Sequence, residues 1–328
     1  MAVTAAERIL IAMSVIGRIV GGAYRVTRLI GRGGMGEVYA ADGPHGEVAV
    51  KFLRETHANE PEIVARFQRE AKIAARIHSE YVATVHGAGR DRDGHLWIAF
   101  DLLEGESLDA RLRRSPQLAA SEIGWILSHV LTGLARAHVV GVIHRDIKPA
   151  NIFLETLRER EHERAKILDF GISKLRAQTS ETVYPALTAA EESLGTVSFM
   201  PPEQDGGAID ADERADLYAV GAVAFLALCG VLPFVGDTPT AVLTFKRTSS
   251  ALSLREATGV TWPEPVEEFM RRTLARRRED RFTSADETRL AWEVAFRAPG
   301  IPVPPRSISR GASPDDTDVN PPQSSSTE

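Results

Sequence analysis

The chain has 328 residues, a length for about two ordinary domains, and its 43% hydrophobic and 26% charged residues suit a globular protein with a sizeable core. Lys+Arg 39 against Asp+Glu 45 gives a net charge of −6, which argues against the basic stripe of a dedicated nucleic-acid binder. The single cysteine, Cys229, excludes an intramolecular disulfide or a multi-cysteine zinc site; within "VGAVAFLALCGVLPF" it reads as a small buried hydrophobe.

The chain opens on "RILIAMSVIGRIVGGAY". Arg8 followed by Ile9–Gly17 mimics a short signal peptide, but Glu7 precedes the run and Arg18 interrupts it, so no secretion signal is expected. Residues 1–23 read as an N-terminal extension, with Met13 as an alternative start. From Tyr24 to Phe100 the pattern is strand-like: "YRVTRLIG" and "EVAVKFL" alternate, and "HLWIAFDLL" is a continuous apolar strand. One helix interrupts them, with Ile63, Phe67, Ala71, Ala74 and Ile77 near one face. From Ser121 onward helices dominate: "SEIGWILSHVLTGLARAHVVG", "ADLYAVGAVAFLALCG", "VEEFMRRTLARR" and "ADETRLAWEVAFR". The third quarter holds Ala219–Leu232, apolar but too short to cross a bilayer, so no membrane span is expected and the cytoplasm is the default location. Ala298–Glu328 carries seven of the eighteen prolines and a serine run, a composition that predicts a disordered tail. A strand-rich first third before a helical remainder predicts an α+β fold in two lobes.

Four stretches carry chemistry. In "IGRGGMGEV" the pattern is Gly31-x-Gly33-x-x-Gly36-x-Val38, and glycines let backbone N–H groups approach phosphate oxygens. The motif alone also fits a Rossmann turn or an unliganded hairpin, but a Rossmann turn opens a helix. Here strand-like sequence flanks the glycines on both sides, which favours a strand–turn–strand flap. "VAVK" ends at Lys51, which a Glu70 on the following helix would hold against phosphate oxygens. "HRDIKPAN" then packs His144 to Asn151 between two apolar runs. Polar residues so placed are costly unless used. Asp146 can orient a hydroxyl and accept its proton, Lys148 can neutralise a phosphoryl group, and Asn151 offers a neutral oxygen to Mg²⁺. Asp169, in "LDFG", offers a second oxygen, and Mg²⁺ takes few protein ligands beside phosphates and water. Phosphoryl transfer needs positioning and charge neutralisation above all.

With "MPPE" following, these motifs stand in the order of the protein-kinase signature set. From about Tyr24 to Phe296 the chain resembles the eukaryotic-type protein serine/threonine kinases, most closely their bacterial members. The resemblance implies an N-lobe over 24–103 and a C-lobe over 104–297. It implies ATP and Mg²⁺ as cofactors, and proteins phosphorylated on Ser or Thr, the kinase itself included, as partners in signalling. Gly31, Gly33 and Gly36 would cover the phosphates. Lys51 would contact them and pair with Glu70. Ile30, Val38, Ala49 and Phe153 would sandwich adenine, with Phe100 as gatekeeper and the Asp101 and Leu103 backbones at the hinge. Asp146 would be the catalytic base, Lys148 the neutralising cation, and Asn151 and Asp169 the metal ligands. Asp216 would hold the HRD backbone, and Glu203 would pair with Arg281.

Lys148 after the aspartate and Thr196 in "GTVSFMPPE" follow the Ser/Thr pattern. A small-molecule phosphotransferase would share Asp146 and Asn151 but lack "GT…MPPE", and a catalytically dead scaffold would lack one of Lys51, Glu70, Asp146, Asn151 and Asp169, all of which are present. N-lobe dimerisation, which occurs in bacterial relatives, is left open. Three departures stand out: Pro201 where the family has Ala or Ser, the charged insert Leu157–Arg164, and Arg277–Arg278 in place of an acidic-proline step. The insert reads as a solvated hairpin or short helix, with a docking site as the alternative. Arg145 calls for an anion on the activation segment Asp169–Glu203. Phosphorylated Thr188 is the first candidate, Thr182 and Ser193 come next, and Glu191 with Glu192 form the rival.

Overall fold

A computed structural model describes residues 15–33, 36–53, 61–157, 162–170, 197–204 and 212–301; the side chains of Leu53, residues 61–64, Arg66 and Glu70 lie outside that description. The first lobe is a sheet of six antiparallel strands. They are β1 (Ile19–Val20), β2 (Tyr24–Gly33), β3 (Gly36–Gly43), β4 (Gly46–Leu53), β5 (Val85–Arg90) and β6 (Leu96–Asp101), in the order β1-β2-β3-β4-β6-β5. Side chains alternate across a strand, so each strand serves two faces. Tyr39, Val48, Val50, Phe52, Trp97 and Ala99 fill one face together with Tyr24 and Val26. Leu96 and Ile98 serve the other, where Phe67 and Ala71 of helix α1 (Pro61–Ala74) cover them.

The sheet begins ahead of the Tyr24 boundary expected from sequence. Ile19 pairs with Arg25 and Val20 with Tyr24, and Val15 and Val20 are buried in the sheet's outer core. Strand β6 ends at Asp101, short of the expected Leu103. Its final carboxylate accepts hydrogen bonds from the Thr84 N–H (3.0 Å) and from Lys166 Nζ (3.1 Å), and it meets His86 Nε2 (2.9 Å), so the strand is pinned where the lobes join. Burial alone would push the Asp101 carboxyl up, but the Thr84 N–H and the Lys166 charge bring it below its ordinary value.

Helices build the second lobe: α2 (Leu108–Arg114), α3 (Ala120–Val139), α4 (Arg214–Cys229), α5 (Pro239–Thr248), α6 (Leu254–Thr258), α7 (Glu264–Thr273) and α8 (Ala285–Ala295). The sequence pattern missed α2, α5 and α6, which are short. Each nevertheless carries a local start signal: Ser107, Thr238 and Ser253 cap their first turns, the last in a full capping box. Helix α4 is apolar on every side, and fourteen of its sixteen residues are buried, so it stands in the middle of the lobe with the others around it. Gly221 lets α7 approach, since a Cβ there would lie 2.5 Å from Thr273 Cγ2.

A small sheet, β7 (Gly105–Ser107), β8 (Ile152–Leu157) and β9 (His162–Ile167), lies at the junction. The charged insert thus lies in the β8–β9 hairpin, whose tip, 158–161, is outside the described residues. The two charges of the insert among the described residues, Glu163 and Arg164, are used internally. Arg164 pairs with Glu155 and Glu80, and Glu163 meets Arg111, which also holds Glu106 and Glu122. Beyond α8, Ala298 still bonds back to Ala295 and Ile301 packs on the core; the rest of the expected tail, 302–328, is outside the description. Among the described residues no helix is long and apolar enough to cross a membrane.

Candidate active site

Strands β2 and β3 pair antiparallel through Gly31↔Val38 and Gly33↔Gly36. The glycine motif is therefore a strand–turn–strand flap, with its turn residues 34 and 35 outside the description. Gly36 has φ +147°, a backbone region that favours glycine. Ile30 sits at a register irregularity of β2 and is 44% exposed, the condition of an apolar side chain lacking a cover. Val38 pairs with Lys51 and Ala40 with Ala49, which sets Val38, Ala49 and Lys51 on one face of the sheet. Ala49 pairs in turn with Phe100 of β6. The N–H of Asp101 donates to Thr84 O at 3.2 Å, so what Asp101 can offer a ligand at the hinge is its carbonyl. Leu103 follows in the connection to β7, and Phe153 is half-buried on β8 opposite Ser107 and Lys166.

The loop His144–Asn151 is gripped from below. The Asp216 carboxylate, wholly buried on α4, accepts from the His144 N–H (2.8 Å), the Arg145 N–H (2.7 Å) and His138 Nε2 (2.9 Å). Burial alone would raise this carboxyl, but the His138 hydrogen bond and charge, with the backbone donors, hold it below its ordinary value. The grip keeps Arg145 at φ +66°, a left-handed conformation costly for a residue with a Cβ. His144 Nε2 meets Leu168 O at 2.8 Å, so Nε2 carries the proton and Nδ1 accepts the Asp146 N–H at 3.2 Å. Its ring meets Phe170 edge-on at 4.6 Å.

Asp146 comes next in the chain, and its Oδ2 takes both Lys148 Nζ (3.0 Å) and Asn151 Nδ2 (3.1 Å). Asn151 Nδ2 also donates to Asp146 O at 2.7 Å; with its donor end engaged, the amide presents Oδ1, a neutral oxygen suited to a hard cation. The Leu168 N–H donates to Asn151 O at 2.9 Å and brings Asp169 beside it. Asp169, at φ +60°, meets the buried Lys51 Nζ through Oδ2 at 2.6 Å. Ile167 fixes this segment to the first lobe: its N–H donates to Tyr81 O and its carbonyl accepts from the Ala83 N–H.

The structure therefore brings Lys51, Asp146, Lys148, Asn151 and Asp169 to one cleft between the lobes. The expected Lys51–Glu70 pair lies outside the described residues, as do Thr179, Thr182, Thr188, Glu191, Glu192, Ser193 and Thr196. Glu203 and Arg281 form a two-point ion pair at 2.7 and 2.8 Å. Two partners escaped the sequence reading. His138, a polar residue in the last turn of the apolar α3, is a signal that could have been weighed; Lys246 in "TFKRT" gave none.

A strand-rich lobe over a helical lobe, with a glycine flap, a buried lysine and this acidic loop at their junction, defines a two-lobed nucleotide phosphotransferase fold. The chain belongs to the protein kinase family: the family model described as "Protein kinase domain" matches residues 24–292. It is 42% identical over 225 residues to the serine/threonine-protein kinase pkn3 of Myxococcus xanthus, covering 68% of this chain and 40% of that one. It is 30% identical over 285 residues to the serine/threonine-protein kinase PrkC of Bacillus subtilis, covering 86% and 42%. The crystal structure of the Mycobacterium tuberculosis PknI kinase domain superposes with a TM-score of 0.65 at 30% identity, covering 85% of this chain and 98% of that one. The chain thus spans less than half the length of these two curated relatives.

Proposed function

We propose that this chain transfers the γ-phosphoryl group of ATP to serine and threonine hydroxyls of proteins, its own included, as part of bacterial signalling. The observation that carries this reading is the convergence at Asp146, where a single carboxylate oxygen holds both Lys148 and Asn151. The acceptor hydroxyl attacks the γ-phosphorus, the bond to the β-phosphate oxygen breaks, ADP leaves, and the hydroxyl proton passes to the Asp146 carboxylate. Asp146 orients the hydroxyl more than it activates it, since a loose transition state asks little of a base. Lys148 spreads positive charge over the transferring group, and Lys51 meets the phosphates under the Gly31–Gly36 flap. Asn151 Oδ1 and Asp169 would hold Mg²⁺, which when bound with ATP neutralises phosphate charge.

Adenine would lie between Ile30, Val38 and Ala49 on one side and Phe153 on the other, with the Asp101 carbonyl and the Leu103 backbone at its edge. On this reading the domain draws its ATP from the cytoplasm. Phosphorylation of Thr188 would present a dianion to Arg145 and order the activation segment. Incubation of the purified chain with labelled ATP, Mg²⁺ and a mixture of Ser- and Thr-containing peptides tests the reading. Label on Ser or Thr, abolished in Asp146→Asn, is expected; ATP hydrolysis with no transfer to any protein or peptide would refute it.

A further inference from the structure

Lys246, on α5, is a fully buried lysine, and no acidic side chain is among its described partners. Its ammonium donates to three backbone carbonyls of one short segment: Val197 O at 2.9 Å, Ser198 O at 2.8 Å and Met200 O at 2.7 Å. In that segment Val197–Phe199 are helical and a bend follows at Met200, and Val197, Ser198 and Phe199 are themselves buried. The Met200 N–H also donates to Val197 O at 3.2 Å, so the ammonium adds to the turn's own bonding, and buried acceptors must find partners. Val197 and Ser198 are buried and Met200 is half-buried, so Lys246 acts as a cap supplied by a distant helix. Three donors answer three acceptors, and the positive charge sits at the negative end of the turn.

The cap is itself fixed. The Lys246 ammonium lies 5.4 Å from the centre of the Tyr218 ring and 5.9 Å from that of Phe234. Arg281 stands 4.8 Å from the Tyr218 ring and holds Glu203, three residues beyond Met200. Tyr218 is two residues from Asp216 on α4, and Asp216 grips the backbone that leads into Asp146. The turn Val197–Met200 and the catalytic loop therefore hang from the same turn of one helix.

We propose that Lys246 is a positioning residue for the protein substrate: it fixes the turn Val197–Met200 as the ledge along which an acceptor chain runs to reach Asp146. This rests on the protein-kinase reading above. Lys246 touches neither the nucleotide lysine nor the metal-binding pair, so its loss falls on the acceptor and not on ATP.

The test compares wild type with Lys246→Met, which keeps the length of the side chain and removes every donor, and Lys246→Arg, which restores donors and charge. Lys246→Gln is read in the same way should the methionine variant not fold. Initial rates are measured with ATP and a degenerate library of Ser and Thr peptides, then with single peptides from it. Lys246→Met is expected to raise peptide KM by about tenfold or more, as a displaced ledge would. The KM for ATP should stay within about twofold, the preference among residues flanking the acceptor should flatten, and Lys246→Arg should recover part of both effects. An unchanged peptide KM, or equal rises in the peptide and ATP values, overturns this inference while the kinase reading stands. A wild-type enzyme that labels no peptide overturns the kinase reading itself.

Discussion

The grip of Asp216 on the catalytic loop can be tested by removing it. In Asp216→Ala the N–H groups of His144 and Arg145, now 2.8 and 2.7 Å from a carboxylate oxygen, lose their acceptor in a fully buried place. Leaving a buried donor unpaired costs about 1–3 kcal/mol, so the two together cost about 2–6 kcal/mol. A domain whose total stability is about 5–15 kcal/mol would feel that loss severely. Asp216→Asn should cost roughly half as much, because one oxygen still accepts while the amide N–H₂ is set against a donor. Arg145, released from its left-handed conformation, should relax, and Asp146 should move with it. Urea unfolding followed by tryptophan fluorescence gives the stability, and initial rates of phosphate transfer below the unfolding range give the catalytic effect. We expect alanine to be worse than asparagine in both, and turnover to fall in folded enzyme by about 10²-fold, the effect of roughly 1 Å of misplacement. A loss below about 1 kcal/mol with near-normal turnover would refute the argument, since the unpaired donors alone exceed that figure.

Asp146→Asn should lower the rate about 10²–10⁴-fold, and Lys51→Met should do likewise with the fold retained by circular dichroism; near-normal turnover in either would overturn its assigned role. Gly105→Ala should lower the melting temperature, because the residue has φ +137° and a Cβ would stand 2.0 Å from Leu154 O. A cost of about 1–3 kcal/mol is expected there, and an unchanged melt would mean that β7 yields freely. Burial, with the Arg281 charge second, brings the Lys246 pKa down to about 7. An unfolded lysine titrates near ~10.4, so between these values the unfolded chain binds more proton and this group makes stability rise with pH. The gap in urea midpoint between wild type and Lys246→Met should therefore shift in favour of wild type from about pH 7 to pH 9.5, and a constant gap would contradict it.

The residues gathered at the cleft stood out in the sequence because each motif packs its polar groups into a few positions: Asp146, Lys148 and Asn151 within six residues, and Asp169 at the end of an apolar run. The sheet's two faces could be read for the same reason, since "EVAVKFL" alternates with the period of the strand. What escaped lacks such a period. Strand β1 has two residues, too few to alternate, and the buried Val15 and Val20 sit among glycines and an arginine. Asp101 was assigned for its backbone; its side chain engages Thr84, His86 and Lys166, partners that only the fold brings near. Lys246 was invisible for a stronger reason. Its partners are main-chain carbonyls 46 to 49 residues away, which leave no mark in residue types, and a lysine beside Arg247 reads as solvated.

Helix α4 has a consequence for how this sequence can change over generations. Asp216 and Tyr218 share one turn of it, and through them the catalytic loop and the segment Val197–Glu203 share a foundation. Substitutions at His138, Asp216, Tyr218, Lys246 and Arg281 are therefore not independent trials, because residues in one network couple. A lineage that exchanges Lys246 for another donor must first find a neighbour that keeps three carbonyls satisfied, and the order of the steps decides whether the intermediate works. The rungs of the β8–β9 hairpin closed by Arg111 and Arg164 share none of these residues, so substitutions there are not tied to the same order of steps.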